Sequence, residues 1–106
     1  LIPMFRGILS TIYLDLSKGF TAKKIYQIIK KYHKNNFFVK MAKFNNSVGT
    51  GNVINTNFCE ITVCKSSKKN KIIIISSIDN LIKGASGQAV QNMNVACRLN
   101  ERTGLV

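Results

Sequence analysis

The residues best placed to do chemistry lie between Ile78 and Asn94. The apolar run Ile72 to Ile75 ends in a polar corner at Asp79 and Asn80. Gly84 and Gly87 follow, and then a helix-like segment. A strand that passes through a glycine-containing turn into a helix start is a general anion-binding arrangement, because its exposed N–H groups and the helix dipole favour phosphate. Gly84-x-x-Gly87 is a weak form of that signal, being neither the G-x-G-x-x-G of a dinucleotide fold nor a P-loop. Two glycines at this spacing more often mean tight helix packing. No residue between Lys83 and Arg98 is charged. In so lysine-rich a chain an exposed helix is expected to carry lysines, so one face of this helix should meet protein. Another should present Gln88, Gln91 and Asn92 as neutral hydrogen-bonding groups.

No catalytic set can be assembled around this stretch. One histidine and four acids supply neither an acid pair, nor a Ser/His/Asp arrangement, nor a nucleophile with its base. His33 has no second ligand-type neighbour and reads as an ordinary packed or exposed histidine. Cys59, Cys64 and Cys97 are an odd number without C-x-x-C spacing, so neither a metal site nor a disulfide framework is indicated. A reducing, cytoplasmic compartment fits best. Cys59 reads as a small core residue, with no cationic neighbour or helix N-terminus in view to activate it.

The net charge of +12 on 106 residues invites a polyanionic partner. Thirteen of the basic residues are lysines spread over most of the chain among many Asn and Ile, which resembles a compositional bias more than a patch. Nucleic-acid readers favour arginine forks and stacked aromatics, and only Arg6, Arg98 and Arg102 are present. A stand-alone basic module for nucleic acid or a ribosomal surface is therefore the runner-up. No apolar run approaches the ~18 residues of a membrane span, and no segment has the layout of a signal peptide. Residues 1–106 suffice for one domain and one modest core. The chain begins at Leu1 and enters apolar sequence directly, as a piece cut from a longer protein would.

The elements that must position these residues follow from periodicity. Ile8 to Leu16 alternates as a strand with one face in the core, and Arg6 stands just before it, where a side chain can reach out of the sheet. Thr21 is a plausible N-cap for an amphipathic helix over 22–35, with Ala22, Ile25, Ile29 and Tyr32 inward and lysines outward. A short strand over 37–43, a glycine-bearing loop over 45–52 and a strand over 58–65 come next. Cys59 and Cys64 should lie on opposite faces of that last strand and so cannot pair. It forms an antiparallel hairpin with 72–77, whose four isoleucines predict a central strand covered on both sides. The final helix is expected to pack through Ala89, Val90, Met93, Ala96 and Cys97. Together these predict an α+β fold, a mostly antiparallel or mixed sheet with helices packed on one face.

Three blocks carry a resemblance. They are Leu1-Ile2-Pro3-Met4-x-Arg6-Gly7-Ile8-Leu9-Ser10-Thr11, Asn57-Phe58-Cys59-Glu60-Ile61, and Ser77-Ile78-Asp79-Asn80-Leu81-Ile82-Lys83-Gly84-Ala85-x-Gly87-Gln88-Ala89-Val90-Gln91-Asn92-Met93-Asn94. In that order they resemble the C-terminal third of the N-acetyl-gamma-glutamyl-phosphate reductases, and Thr103-Gly104-Leu105 is similar to the closing residues of that family. Phe5 and Ser86 depart from it, since the family usually has Asn and Ala there.

The resemblance implies the C-terminal catalytic and oligomerisation domain of a semialdehyde-dehydrogenase-like reductase, working with NADP(H) on an acyl phosphate in arginine biosynthesis. In such enzymes an N-terminal Rossmann domain holds the dinucleotide. A cysteine thiolate attacks the acyl phosphate, hydride reduces the thioester, and a histidine assists. Both the cysteine and the histidine lie upstream of Leu1, so this chain alone is expected to be inactive, and neither Cys59 nor His33 takes their place. Asn80, Lys83, Gly84, Gly87 and Gln88 match the segment that returns against the dinucleotide domain, which makes them the candidate cofactor contacts. Arg6 matches the family's arginine and is the candidate for orienting the substrate's anionic groups. A homo-oligomer is implied as well.

Overall fold

The computed structural model describes residues 3–106, so Leu1 and Ile2 of the first matching block lie outside the described residues. Four strands form one sheet in the order β1-β4-β3-β2, with β1 Ile8–Asp15, β2 Val39–Met41, β3 Cys59–Lys65 and β4 Lys71–Ile78. β4 runs antiparallel to both β1 and β3, while β2 runs parallel to β3. The sheet is therefore mixed, and the β3–β4 hairpin forms as predicted. A parallel pair needs a long crossover. Residues 42–58 supply it, through a 3-10 turn at Thr50–Asn52.

The helix α1, Ala22–Tyr32, begins where the sequence places it, because Thr21 Oγ1 accepts from Lys24 N at 3.2 Å. It ends three residues earlier than expected, with His33 at its C-cap. Its inward stripe is Ala22, Ile25, Tyr26 and Ile29, with Tyr26 in place of the expected Tyr32, which is exposed; it packs on Val63, Ile72 and Ile74 of one sheet face, joined by Leu16 and Phe44. Burying side chains such as Val63 and Ile72 fully is worth about 1.5–3 kcal/mol each, which fixes the helix over the β3–β4 pair. The register puts Cys59 opposite Ile78 and Cys64 opposite Ile73, hence on opposite faces of the sheet.

Two expectations are corrected. All eight residues of β1 are exposed, so neither face of that strand is core. Alternation shows that a strand has two kinds of face but not that anything covers them, and β1 is an edge strand with β4 as its neighbour. β4 is central as predicted, yet Ile73 to Ser76 are only half-buried. The second correction concerns α2, Gly87–Ala96, whose buried positions are Gly87 and Asn94 with Gln91 half-buried between them. Of the apolar stripe expected to pack, Val90 is half-buried, but Ala89, Ala96 and Cys97 are exposed and Met93 is 54% exposed, so most of the stripe faces outward. The amides turn inward because they find partners there. Asn94 Nδ2 donates to the carbonyls of Glu101 (3.2 Å) and Thr103 (2.9 Å), which folds the following turn back onto the helix.

Candidate functional site

β4 ends at Ile78, and the next residue organises the site. Asp79 is fully buried. Its Oδ1 accepts from Leu81 N (2.8 Å) and Ile82 N (3.1 Å), and its Oδ2 accepts from Asn55 N (2.7 Å). The first two contacts cap the start of a π-turn, Ile82–Ser86, in which Gly84 N donates to Asp79 O (2.9 Å) and Ser86 N to Leu81 O (3.4 Å). Such wide turns recur at functional sites. The third contact holds the end of the β2–β3 crossover, where Asn55 adopts a left-handed φ of 62°. Asn tolerates that conformation better than most residues.

Arg6 closes on the same carboxylate. Its Nη2 donates to Asp79 Oδ1 (3.3 Å), its Nε stands 3.1 Å from Oδ2 as an ion pair without hydrogen-bond alignment, and its Nη1 donates to Asn55 Oδ1 (2.5 Å). Gly7 N donates to Asn80 Oδ1 (2.7 Å), a second joint between the same segments. The Arg6 side chain remains 27% exposed. A guanidinium carries five N–H donors, and two of them are hydrogen-bonded to Asp79 and Asn55. The remaining Nη hydrogens have no hydrogen-bond partner among the described residues. Burial alone would raise the Asp79 pKa, but the backbone donors of Asn55, Leu81 and Ile82, together with Arg6, outweigh it and hold the carboxyl below its ordinary 3.8.

Lys83 points the other way along the turn. Its Nζ donates to Gln91 Oε1 (2.8 Å) and sits 5.5 Å from the centre of the Phe38 ring. No carboxylate lies within ion-pairing distance of it among the described residues. Burial pushes its pKa below 10.5, against the opposing fields of Cys59 and Glu101. Gln91 Oε1 also accepts from Asn57 Nδ2 (3.0 Å), and Gln91 Nε2 donates to Glu101 Oε2 (3.1 Å). Gly87 is buried against Asn57, while Gly84, Ala85 and Ser86 are exposed. Gln88 is half-buried and donates to Asn92 Oδ1 (2.7 Å) on the outer side of α2.

The predicted site residues thus fall into three positions. Arg6, Asn80 and Gly84 gather around Asp79, Lys83 and Gly87 face Asn57 and Gln91, and Gln88 stands apart. Sequence reasoning missed Asp79, Asn55, Asn57 and Glu101 as organisers. One signal was available for Asp79, an acid placed immediately after a buried strand in a chain with only four acids. Asn55 and Glu101 act through tertiary contacts that no local pattern announces.

Gly84-Ala85-Ser86 is an exposed, uncharged run of small residues, and Lys83 beside it is a cation with no carboxylate in ion-pairing distance among the described residues.

Residues 1–80 match the family described as semialdehyde dehydrogenase, dimerisation domain. The chain belongs to that family. Among curated relatives, the N-acetyl-gamma-glutamyl-phosphate reductase of Thermoanaerobacter pseudethanolicus is 48% identical over 99% of this chain. The proteins of the same name from Caldicellulosiruptor saccharolyticus and Staphylococcus aureus are 44% and 40% identical, over 100% and 99% of the chain. The chain spans about 30% of the length of these relatives.

Proposed function

We propose that this chain supplies the C-terminal domain of an NADPH-dependent reductase converting N-acetyl-glutamyl 5-phosphate to N-acetyl-glutamate 5-semialdehyde in arginine biosynthesis. The observation that carries the reading is the likeness, across the whole chain, to reductases of that name, with Arg6 and the π-turn drawn to one carboxylate. NADPH, when bound, supplies the hydride. Arg6 presents its outward N–H donors to the anionic groups of the acyl phosphate while Asp79 holds its inner edge. Asn80, Lys83 and Gly84 line the approach to the cofactor, Gly87 and Gln88 set the path of α2 beneath it, and the Lys83 ammonium attracts its phosphates. The nucleophilic cysteine and the dinucleotide-binding domain belong to the rest of the protein. The exposed β1 and the family's dimerisation character support a homo-oligomer, and three unpaired cysteines suit the cytoplasm. No helix among the described residues is long and apolar enough to cross a membrane.

The test is a hybrid in which this chain replaces the matching segment of the Thermoanaerobacter pseudethanolicus relative. The hybrid is expected to reduce the acyl phosphate with NADPH, and the 106-residue chain alone to show no turnover. A folded hybrid that binds NADPH yet gives no semialdehyde, or turnover by the chain alone, defeats the proposal. One observation favours the rival basic module: Lys23, Lys65, Lys68, Lys69 and Lys71 line a single cleft beside α1. RNA binding by the chain that weakens steeply with salt would select that reading.

A further inference from the structure

We propose that Asp79 is a positioning residue that locks Arg6 and the turn Ile82–Ser86 into one unit, so that the substrate-orienting group and the cofactor-side turn move together or not at all. The inference rests on the reductase reading and deepens it. Asp79 is fully buried, so it acts only through its neighbours. Its two oxygens divide the work: Oδ1 takes the Leu81 and Ile82 amides together with Arg6 Nη2, and Oδ2 takes the Asn55 amide beside Arg6 Nε. One carboxylate therefore fixes three separate pieces of chain, the segment before β1 at Arg6, the end of the crossover and the π-turn. Arg6 and Asp79 are 73 positions apart, so only the tertiary fold makes this joint. The joint continues beyond the carboxylate. Gly84 N reaches back to the Asp79 carbonyl, and Asn80 Oδ1 holds Gly7 N, so a shift at Asp79 is passed both to the Gly84 backbone and to the loop carrying Arg6.

Charge-assisted hydrogen bonds of this kind are among the stronger ones, and loosening the inner edge of Arg6 should spread its outer donors over several orientations. A plain staple and a positioning residue then differ in what they change. The hybrid enzyme would be assayed in reverse, where the semialdehyde, inorganic phosphate and NADP+ give the acyl phosphate, NADPH and a proton. In the positioning case, Asp79→Asn raises the KM for phosphate about tenfold, the size of one lost charge-assisted bond. It raises the KM for NADP+ as well, and has little further effect when added to Arg6→Ala. A staple lowers the melting temperature and the active fraction, hence kcat, and leaves both KM values in place, which would overturn the proposal. Additive effects of the two substitutions would do the same.

A readout that needs no turnover comes from amide NMR of the 106-residue chain. Asp79→Asn is expected to shift the Gly7 and Asn55 amides together with those from Gly84 to Gln88, and changes confined to one of these groups refute the coupling. If both groups shift while the parent hybrid is inactive, the reductase reading fails and the coupling stands. Should Asp79→Asn not fold, Asn55→Gly, which removes the side-chain acceptor of Arg6 Nη1 and keeps the left-handed backbone there, takes its place in both measurements. It is expected to show the same paired changes at smaller size, and unchanged KM values or a one-sided shift then count against the proposal.

Discussion

The two glycines of Gly84-x-x-Gly87 should respond differently to alanine. A Cβ on Gly87 would overlap Asn57 Oδ1 and lie 2.6 Å from Ile82 Cγ2 and 2.9 Å from the Ile82 carbonyl oxygen. Ile82 can rotate its side chain, but the carbonyl belongs to the π-turn and Asn57 is buried and tied to Gln91. Overpacking at such a site costs about 1–3 kcal/mol. Displacing Asn57 from Gln91 adds about 1 kcal/mol. The better helix propensity of Ala offsets about 1 kcal/mol. Gly87→Ala should therefore destabilise the domain by a net ~1–3 kcal/mol. Around Gly84 the nearest atoms stand at 3.4 Å, an ordinary contact, and its φ is not left-handed, so Gly84→Ala should be neutral or stabilise by up to ~1 kcal/mol. Urea titration of the two variants separates them, since ~1 kcal/mol moves the midpoint by several tenths of a molar unit or more in a chain of this size. A Gly87→Ala variant as stable as the parent would refute the argument from close packing. So would a Gly84→Ala variant that loses more than ~1 kcal/mol. In the hybrid enzyme Gly84→Ala then isolates the ligand question, because a raised KM for NADPH without lost stability places that glycine against the cofactor.

Asp79 has a folded pKa below its unfolded one, so its contribution to stability is fully present above the ordinary 3.8 and is lost as pH falls through the folded value. The stability gap between parent and Asp79→Asn, from urea midpoints at successive pH values, should stay constant near neutrality and close below pH 3.8; a gap unchanged into strong acid contradicts the assignment. For Lys83 the folded pKa is also depressed, but in a base this makes the charged form the costly one. The cost is present at neutral pH and is relieved as pH rises through the folded value towards 10.5. Lys83→Met should accordingly stay within ~1 kcal/mol of the parent at pH 7 and flatten the rise of stability at alkaline pH, and a loss above ~2 kcal/mol would show the Gln91 contact to be structural. Thr21→Ala should cost about 1 kcal/mol and increase exchange of the Lys24 amide, while an unprotected Lys24 amide in the parent would deny the cap.

The fold was legible wherever a local pattern had a single physical solution. The hairpin of β3 and β4, the central place of the isoleucine strand and the Thr21 cap all follow from short-range chemistry, and all are present. Where expectation and structure part, the cause is shared: apolarity is not evidence of burial. In β1 the alternating Ile8, Leu9, Ile12, Tyr13 and Leu14 are all exposed, and in α2 the apolar positions other than Val90 face out. The site was half legible. A resemblance can point to Arg6 and Lys83, but it cannot say that one is held by a buried carboxylate and the other by a neutral amide. Those partners lie 73 and 8 positions away, and the more distant is set by the tertiary fold.

The absence of charge in α2 has two explanations, one for each side of the helix. Inside, Gln91 and Asn94 are satisfied by Asn57, Lys83, Glu101 and two main-chain carbonyls. A lysine in place of either would strand buried acceptors against an ammonium that must itself be desolvated. That side is neutral because the fold requires it, and no ligand is needed to explain it. Outside, Ala89, Met93 and Ala96 are exposed, and nothing within the described domain forbids lysine there, as the outer face of α1 demonstrates with Lys23, Lys30 and Lys31. Propensity does not decide the matter either, since Lys, Ala and Met are all good helix formers. The difference between the two helices lies in where they sit. α2 follows the π-turn that carries Lys83 and Gly84, and α1 lies over the β3–β4 pair away from it. If the π-turn faces a dinucleotide domain, the outer side of α2 is adjacent to that junction, where lysines would be desolvated and apolar side chains would not. The neutrality of the outer side is thus a consequence of the proposed architecture. The inner side would be neutral in any architecture.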